Sequence, residues 1–261
     1  MESLARSGII TLTTDFGLDD AYIGIVKATL LSIYPEARLV DITHNIAPQN
    51  IQQASYILFA AVKYFPRATV HLAVVDPGVG SSRRPILVCS NGHFLVGPDN
   101  GILTDFLGDG ARVFFLSRPQ FFLSHVSHTF HARDVFAPVA AHLARGTEPA
   151  QMGELITDAV RLERARPVVD QNRIIGIVIY IDRFGNMITN IKADQLDDDS
   201  IVRVMGKEIQ GISTSYSEKP KGTLLAVVGS SGFLEIALAS DSAALRLKGA
   251  VGLVVEARKP G

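Results

Sequence analysis

Residues Thr69–Arg83 read TVHLAVVDPGVGSSR, an almost continuously apolar stretch that ends in a glycine-rich polar turn. The apolar part, Thr69–Val75, is rich in β-branched residues and is typical of a strand covered on both faces. Such strands are characteristic of parallel sheets flanked by helices. The stretch therefore predicts an α/β fold in which this strand is central and Asp76 lies just past its carboxyl end.

Strand and helix patterns alternate on the N-terminal side of this strand. The predicted elements are strand Ile9–Thr14, helix Ala21–Tyr34, strand Arg38–Ile42 and helix Ile51–Phe65. Asp19 or Asp20 is expected to cap the first helix, because short polar side chains accept hydrogen bonds from the first free N–H groups. The βαβαβ order predicts an α/β domain with a largely parallel sheet.

A hairpin and a further helix are predicted on the C-terminal side. Pro85–Ser90 and His93–Val96 flank an Asn-Gly pair at position 91, the preferred dipeptide of a tight hairpin turn. Val135–Ala144 has helical spacing, and Asp134 is expected to cap it.

The residue pattern changes after residue 146, where a polar stretch rich in Arg and Glu precedes short β-rich runs. The expected strands are Ile174–Ile181, Met187–Ile191, Thr223–Val228, Phe233–Leu238 and Val251–Glu256, with a helical turn at Asp241–Leu247. We predict two domains, an α/β domain over residues 1–166 and a β-rich domain over residues 167–261.

Composition and charge narrow the possible partners. The chain has 261 residues, and 25 Lys and Arg face 26 Asp and Glu, so we expect no nucleic-acid partner. No apolar run approaches the roughly 20 residues of a membrane helix, and the first residues lack the apolar core of a secretory signal, so no membrane partner is expected. A single cysteine, Cys89, fits a reducing compartment. We therefore expect a cytoplasmic protein that acts on a small molecule.

Four polar clusters interrupt the apolar pattern, and three of them directly follow predicted strands. They are TTDFGLDD (13–20), DPGVGSSR (76–83), SHVSHTFHARD (124–134) and IDRFGN (181–186). Ligands of open α/β sheets bind at the carboxyl ends of the strands. The second cluster contains Gly-x-Gly, but Arg83 stands where the dinucleotide motif has its third glycine. A ligand loop and a plain glycine-rich turn both fit this cluster.

The side chains in these clusters allow functional and structural interpretations. Asp15 precedes the expected helix cap, and an acid at a strand end suits the hydroxyl groups of a ribose. His131 has the chemistry of a general base, although a lone histidine is more often structural. His125, His128 and His131 are spaced by three but match no zinc motif, so no metal site is expected.

Five strings occur in order between Thr14 and Asn190: TDFG, VVDPGVGSSR, VGPDNG, TFHARD and IDRFGNMITN. With them the chain resembles the S-adenosyl-L-methionine (SAM) hydroxide adenosyltransferase family, which hydrolyses SAM to adenosine and methionine, and more distantly the fluorinases and chlorinases. The resemblance implies an N-terminal α/β domain and a C-terminal β-barrel-like domain. It also implies a homotrimer that binds SAM between the N-terminal domain of one subunit and the C-terminal domain of the next, with SAM as substrate and no cofactor.

The resemblance also implies roles for individual residues. By motif position, the catalytic Asp-Arg-His set of the family falls on Asp76, Arg83 and His131, and the ribose-binding acid falls on Asp15. The other substrate-binding residues that it implies are Thr129, Phe130, Asp182, Phe184, Asn186, Tyr216, Ser230 and Glu235.

Two departures from the halogenating relatives bear on the reaction. Those relatives carry Tyr-Ser where this chain has His131-Ala132, which favours hydroxide over halide as the nucleophile. Ser231 replaces an arginine of the fluorinase and leaves open how the methionine end is held. The expected reaction is in-line attack of water-derived hydroxide on C5′ of SAM without a metal. A non-catalytic sensor of SAM or adenosine and a halide-using adenosyltransferase remain as alternatives.

Overall fold

The structure is a computed structural model that describes residues 6–259. The chain divides between Leu162 and Glu163 into two compact units, whereas the sequence prediction placed the division after residue 166. The first unit combines a sheet containing parallel strands with helices, and the second consists mostly of strands. The predicted fold class is therefore confirmed.

The first unit alternates strands and helices along the chain. Its strands are β1 (Ile9–Thr14), β2 (Arg38–Thr43), β3 (Val70–Val74), β4 (Pro85–Ser90), β5 (His93–Pro98), β6 (Arg112–Leu116) and β7 (Gly153–Ile156). Its helices are α1 (Tyr22–Ile33), α2 (Ile51–Val62), α3 (Ala137–Arg145) and α4 (Pro149–Met152), with a π-helical turn at Ala132–Phe136 and 3-10 turns at Thr104–Phe106 and Pro119–Phe121.

These seven strands form one sheet in the order β2-β1-β3-β5-β4-β6-β7. The pairs from β2 to β5 are parallel, and the remaining pairs are antiparallel. The change occurs at the β4–β5 hairpin, where Asn91 and Gly92 have φ of 51° and 81°, as a two-residue hairpin turn with left-handed residues requires. The predicted hairpin is confirmed, and it makes the sheet mixed. Because β1 and β3 are parallel neighbours, Asp15 and Asp76 follow strands that end at the same edge.

Both faces of this sheet are covered by apolar side chains. One face packs with α1 and α3 around residues such as Leu12, Leu72 and Phe136, all almost fully buried. The other face packs with α2 around residues such as Leu58 and Val75. Burying a side chain of this size contributes roughly 1.5–3 kcal/mol, which explains the nearly continuous apolar sequence of β3.

The predicted caps of two helices are wrong. Ala21 occupies the cap position of α1 without a side-chain hydrogen bond, and Asp19 and Asp20 are exposed before it. The path of this loop is set by a tertiary bond, from the Gly17 N–H to the backbone oxygen of His44. Asp134 lies inside the π-helical turn and binds neighbouring side chains instead of capping α3.

The second unit consists mainly of antiparallel strands. They are β8 (Val168–Asp170), β9 (Arg173–Ile181), β10 (Met187–Lys192), β11 (Ile201–Val204), β12 (Lys207–Gln210), β13 (Ile212–Ser213), β14 (Leu224–Val228), β15 (Phe233–Leu238) and β16 (Val254–Arg258). Helix α5 spans Ala243–Leu247, and a 3-10 turn spans Ala193–Gln195.

The sheet of the second unit is nearly closed and barrel-like. Its order is β12-β11-β16-β9-β10-β15-β14-β13, with β8 on β9, and β12 also approaches β14. Apolar side chains fill its interior, among them Val178, Ile236 and Val255. The five predicted strands are confirmed, although the last begins at Val254 and not at Val251. Strands β8, β11, β12 and β13 were not predicted. Within residues 6–259, none of the helices has the length and apolar character needed to cross a membrane.

Candidate active site

The loop after β3 is folded tightly and packs on a second loop. Within it, the Val79 N–H donates to the backbone oxygen of Asp76 at 3.2 Å and the Ser81 N–H to that of Gly78 at 3.1 Å. Gly80 has φ of 78°, and a Cβ atom there would lie 2.3 Å from the backbone oxygen of His128. Only glycine fits this contact. The glycine-rich cluster thus brings residues 76–83 against residues 124–131.

This packing assembles Asp76, Arg83 and His131 in a row. The Nε of Arg83 donates to both carboxylate oxygens of Asp76, at 3.0 and 2.9 Å, and Nη2 donates to Oδ2 at 2.5 Å. The same Nη2 lies 2.7 Å from Nδ1 of His131. The side chains of Asp76 and Arg83 are 5% and 9% exposed. The guanidinium also lies 5.2 Å from the ring centre of Phe136. Arg83 thus connects the carboxylate to the imidazole.

The contact with Arg83 determines where the proton of the His131 ring resides. A guanidinium has only donors, so Nδ1 of His131 accepts in this contact. The neutral ring therefore carries its proton on Nε2. Burial lowers the pKa of His131, and the positive charge of Arg83 lowers it further, while the carboxylates of Asp76 and Asp134 oppose this change. His131 is thus favoured in its neutral form with Nε2–H as a donor.

Asp15 is held at the end of β1 by the loop before α2. Its Oδ2 accepts a hydrogen bond from the Gln49 N–H at 2.8 Å. Gln49 has φ of 64°, which is uncommon for a residue with a side chain. In the same region Oγ1 of Thr14 lies 2.9 Å from Nδ1 of buried His44. The sequence reasoning missed Gln49 because its role depends on a backbone conformation that no local motif announces.

Three aromatic rings form a group between the first and third polar clusters, in which Phe130 meets the other two edge to face. Phe130 lies 5.3 Å from Tyr22 and 6.1 Å from Phe16, and Phe16 lies 6.1 Å from Tyr22, all between ring centres. Thr129, the neighbour of Phe130, is exposed. The structure therefore places Phe130 within an aromatic surface that also contains Phe16 and Tyr22. Those two residues were missed, although Phe16 belongs to the TDFG string.

In the second unit, Asp182 organises the turn between β9 and β10. Its Oδ1 accepts from the backbone N–H groups of Phe184 and Asn186 at 2.9 and 2.8 Å, and its Oδ2 accepts from the Asn186 amide at 2.9 Å. Phe184 is 78% exposed at the tip of the turn. Gly185 has φ of 83°, and a Cβ there would lie 1.9 Å from Oγ of Ser242. The IDRFGN cluster is thus a fixed turn that presents an aromatic ring.

Glu235 lies buried in the same unit, with 7% of its surface exposed. Its Oε2 accepts from the Tyr216 hydroxyl at 2.7 Å. Burial raises the pKa of Glu235; the Tyr216 hydrogen bond lowers it, and the negative charge of Asp182 raises it again. Ser230 is exposed in the adjacent turn, where the Gly232 N–H donates to the backbone oxygen of Gly229 at 2.9 Å. A Cβ on Gly229 would lie 1.7 Å from Oε1 of Glu235, so a larger residue at this position would displace the Glu235 side chain.

The expected residues thus form two groups, one in each unit. The first contains the Asp76–Arg83–His131 row, Asp15, Thr129 and Phe130. The second contains the hydrogen-bonded pairs Asp182–Asn186 and Tyr216–Glu235, with Phe184 and Ser230 in neighbouring turns. Among the described residues, no three His, Cys, Asp or Glu side chains converge as a metal site would require.

Fold and site together define a class of protein: an α/β unit with an Asp-Arg-His row beside the carboxyl end of a parallel strand, followed along the chain by a barrel-like β unit. The chain belongs to the SAM hydroxide adenosyltransferase family, because the N-terminal domain of that family matches residues 10–153 and its C-terminal domain matches residues 176–256.

Individual relatives agree with this assignment. The chain is 39% identical over 246 residues to a Thermus thermophilus protein named (R)-S-adenosyl-L-methionine hydrolase, covering 90% of this chain and 94% of that protein. It is 27% identical over 221 residues to a fluorinase of Nocardia brasiliensis, covering 74% of each. The crystal structure of an uncharacterized conserved protein from Thermotoga maritima superposes with a TM-score of 0.91 at 37% identity, covering 96% of this chain and all of that one.

Proposed function

We propose that this protein hydrolyses SAM to adenosine and L-methionine. The observation that carries the proposal is the Asp76–Arg83–His131 row, which is present in a chain that is 39% identical to a named SAM hydrolase. In the proposed reaction the oxygen of water forms a bond to C5′ of SAM. The C5′–S bond breaks, its electron pair goes to the sulfur of methionine, and one proton is released. The sulfonium is already a good leaving group, so the departing sulfur needs no acid.

The row acts on the attacking oxygen. Arg83 favours the anionic form of that oxygen, since a cation within about 4–6 Å stabilises a nearby negative charge. The bonds to Asp76 and His131 use Nε and Nη2 of Arg83. They fix the orientation of the guanidinium and do not use its Nη1 donors. Asp76 fixes the guanidinium plane. Positioning water and C5′ in line contributes about 7–11 kcal/mol at most.

His131 holds the oxygen as a donor in this proposal. Because Nδ1 accepts from Arg83, the Nε2–H group is the one that faces a ligand. The sequence interpretation of His131 as a proton acceptor requires Arg83 to leave Nδ1 first. Proton release to solvent before the C–O bond forms leaves the anionic oxygen that Arg83 stabilises, and it fits the observed contact without that rearrangement.

The remaining residues bind the substrate. Asp15 uses one of its several acceptor positions for Gln49, so its carboxylate can still accept from the ribose hydroxyls. The aromatic rings around Phe130, and those of Phe184 and Tyr216, suit the faces of adenine. Thr129, Asn186 and Ser230 supply polar contacts, and the carboxylates of Asp182 and Glu235 suit a cationic ligand.

Three further features belong to this proposal. The protein is a homotrimer whose substrate lies between the first unit of one subunit and the second unit of the next. It requires no cofactor, because the sulfonium of SAM supplies the leaving group. It acts in the cytoplasm, where SAM and a reduced Cys89 are both expected.

Chromatography of SAM incubated with the purified protein tests the proposal. Adenosine and methionine should form in halide-free buffer, and added chloride should not divert the product to 5′-chloroadenosine. Intact SAM in halide-free buffer with 5′-chloroadenosine in the presence of chloride would establish a halide-using adenosyltransferase instead. Binding of SAM without any product would establish a sensor.

A further inference from the structure

Asp134 is a fully buried carboxylate, next to the catalytic row but outside it. Its Oδ1 accepts from Nε of Arg133 at 2.5 Å, and its Oδ2 accepts from Nη2 of Arg133 at 3.0 Å. Oδ2 also accepts from the backbone N–H and the hydroxyl of Ser127, at 2.8 and 2.7 Å. Burying a charged carboxylate costs free energy of desolvation, which its hydrogen bonds must offset. The four bonds to Asp134 can do so only if their donors are held in place.

Both partners of Asp134, Ser127 and Arg133, also contact Phe130. The hydroxyl of Ser127 accepts from the Phe130 N–H at 3.1 Å. The guanidinium of Arg133 lies 5.1 Å from the ring centre of Phe130, within the range of a cation–π contact. The Leu123 N–H donates to the backbone oxygen of Asp134 at 2.9 Å. Residues 123–134 therefore form a closed loop, and His131 lies inside it.

The closed loop affects the position of His131 because His131 directly precedes the π-helical turn at Ala132–Phe136. A π-helical turn holds one residue more than an α-helical turn, and such turns are often found at functional sites. Relaxation to a regular α-helix would rotate the residues before the turn by about 100° around the helix axis, one residue step of an α-helix. His131 would then lose its contact with Arg83. Interactions with other residues must therefore stabilise the π-helical turn against this relaxation.

We propose that Asp134, Ser127 and Arg133 form a positioning clamp that holds the π-helical turn, and thereby orients His131 toward Arg83 and Phe130 toward the aromatic group. None of the three is a catalytic residue, because each acts through His131 or Phe130. The clamp rests on the proposed SAM hydrolysis, since its effect is measured on that reaction. It also gives a role to the Arg133-Asp134 pair, which follows His131 after one alanine in the sequence.

Ser127→Ala is the sharpest test, because it removes the hydroxyl that joins Asp134 to Phe130 and leaves the backbone N–H bond in place. Ser124→Ala is the matched control, since Ser124 is exposed in the same loop. Ser127→Thr restores a hydroxyl and serves as the rescue. Steady-state kcat and KM for SAM would be measured for all three and for the unaltered protein. Circular dichroism would show that each variant is folded at the assay temperature.

The clamp predicts that Ser127→Ala lowers kcat by tenfold to about a hundredfold, the order of loss expected for a misplacement of about 1 Å. KM should change less, because Asp15 and the second group stay in place. Ser127→Thr should recover most of kcat, and Ser124→Ala should match the unaltered protein. A folded Ser127→Ala variant with the kcat of Ser124→Ala would overturn the clamp. If the unaltered protein leaves SAM intact, the proposed function fails, and that result is distinct from failure of the clamp.

Discussion

The Asp76–Arg83–His131 row of the first unit and the carboxylates of the second unit are held in opposite ways. In the row, the carboxylate and the imidazole are both bonded to a cation, Arg83, so that negative and positive charge balance within the row. In the second unit, the carboxylates are bonded to neutral donors: amides for Asp182 and a phenol for Glu235. The first arrangement fixes the orientation of a guanidinium. The second leaves negative charge that a cationic ligand can neutralise.

This difference predicts that the two sets of residues act on different steps, catalysis and substrate binding. A fixed guanidinium and a ring with defined tautomer suit the control of a reacting oxygen, because preorganised donors stabilise developing charge without reorganising. Carboxylates held by neutral groups suit recognition of the sulfonium or the ammonium of SAM. Substitutions in the Asp76–Arg83–His131 row should therefore change turnover, and substitutions in the second group should change binding and its dependence on pH.

The largest effect is expected for Arg83→Ala. Loss of the central cation should lower kcat by at least about 10²–10³, the range found when a stabilising donor is removed. Binding of SAM, measured by isothermal titration calorimetry, should persist. Arg83→Lys keeps a charge beside Asp76 but cannot form the forked contact, so its kcat should also be low. Unchanged turnover in a folded Arg83→Ala variant would remove Arg83 from the mechanism.

A smaller effect, and on binding, is expected for Asp15→Asn. The amide keeps an oxygen for the Gln49 N–H but loses the charge that strengthens hydrogen bonds to the ribose. We expect the Kd for adenosine to rise about tenfold, which corresponds to about 1.4 kcal/mol. Equal affinity of the two forms for adenosine would reject the ribose assignment. A change confined to kcat would assign Asp15 to the role of the Asp76–Arg83–His131 row, the control of the reacting oxygen.

Glu235→Gln tests the uncompensated charge of the second unit through the pH dependence of stability. The pKa of Glu235 is raised in the folded state, so between its unfolded pKa and its folded pKa the native protein binds more protons than the unfolded chain. The contribution of Glu235 to the unfolding free energy is therefore favourable below the unfolded pKa and is lost as pH rises through the folded pKa.

Urea unfolding of the unaltered protein and of Glu235→Gln, from pH 4 upward, would measure this contribution. The stability of the unaltered protein relative to the variant should fall as pH rises and then level off. Comparing the two forms removes the opposite effect of carboxyls with lowered pKa, such as Asp41 and Asp134, which both share. A difference that grows with pH would mean that Glu235 is stabilised in its charged form.

The smallest effect is expected for Asp19→Asn and Asp20→Asn. Both side chains are exposed and neither caps α1, so the free energy of unfolding should change by no more than about 0.5 kcal/mol. Loss of a true cap would cost about 1 kcal/mol. Thermal unfolding monitored by circular dichroism distinguishes the two.

Local sequence signals predicted the elements that depend on local physics. β1 was predicted with its observed bounds, and the Asn-Gly turn placed the β4–β5 hairpin, because both depend on short-range preferences. The caps of α1 and α3 could not be predicted. Gly17 is bound by His44, which is distant along the chain, and Asp134 is bound by Ser127 and Arg133 and not by the first turn of α3. The β11–β12 hairpin was missed because its turn is Met205-Gly206, with φ of 48° and 69°, and Met-Gly is not among the preferred hairpin dipeptides.

The candidate site shows the same limit. Motif positions named Asp76, Arg83 and His131, but only the structure shows that Arg83 lies between the other two and sets the tautomer of the ring. Gln49, Phe16 and Tyr22 were missed, because a backbone N–H and two ring edges carry no motif of their own.

Hydrolysis in water enriched in ¹⁸O tests the central claim most directly, namely that the first group directs a water oxygen to C5′ of SAM. Mass spectrometry of the products should show one ¹⁸O atom in adenosine and none in methionine, in halide-free buffer, and the Arg83→Ala variant should form neither product at a comparable rate. Adenosine without the label, or an ¹⁸O atom in a product derived from the methionine chain, would contradict the account.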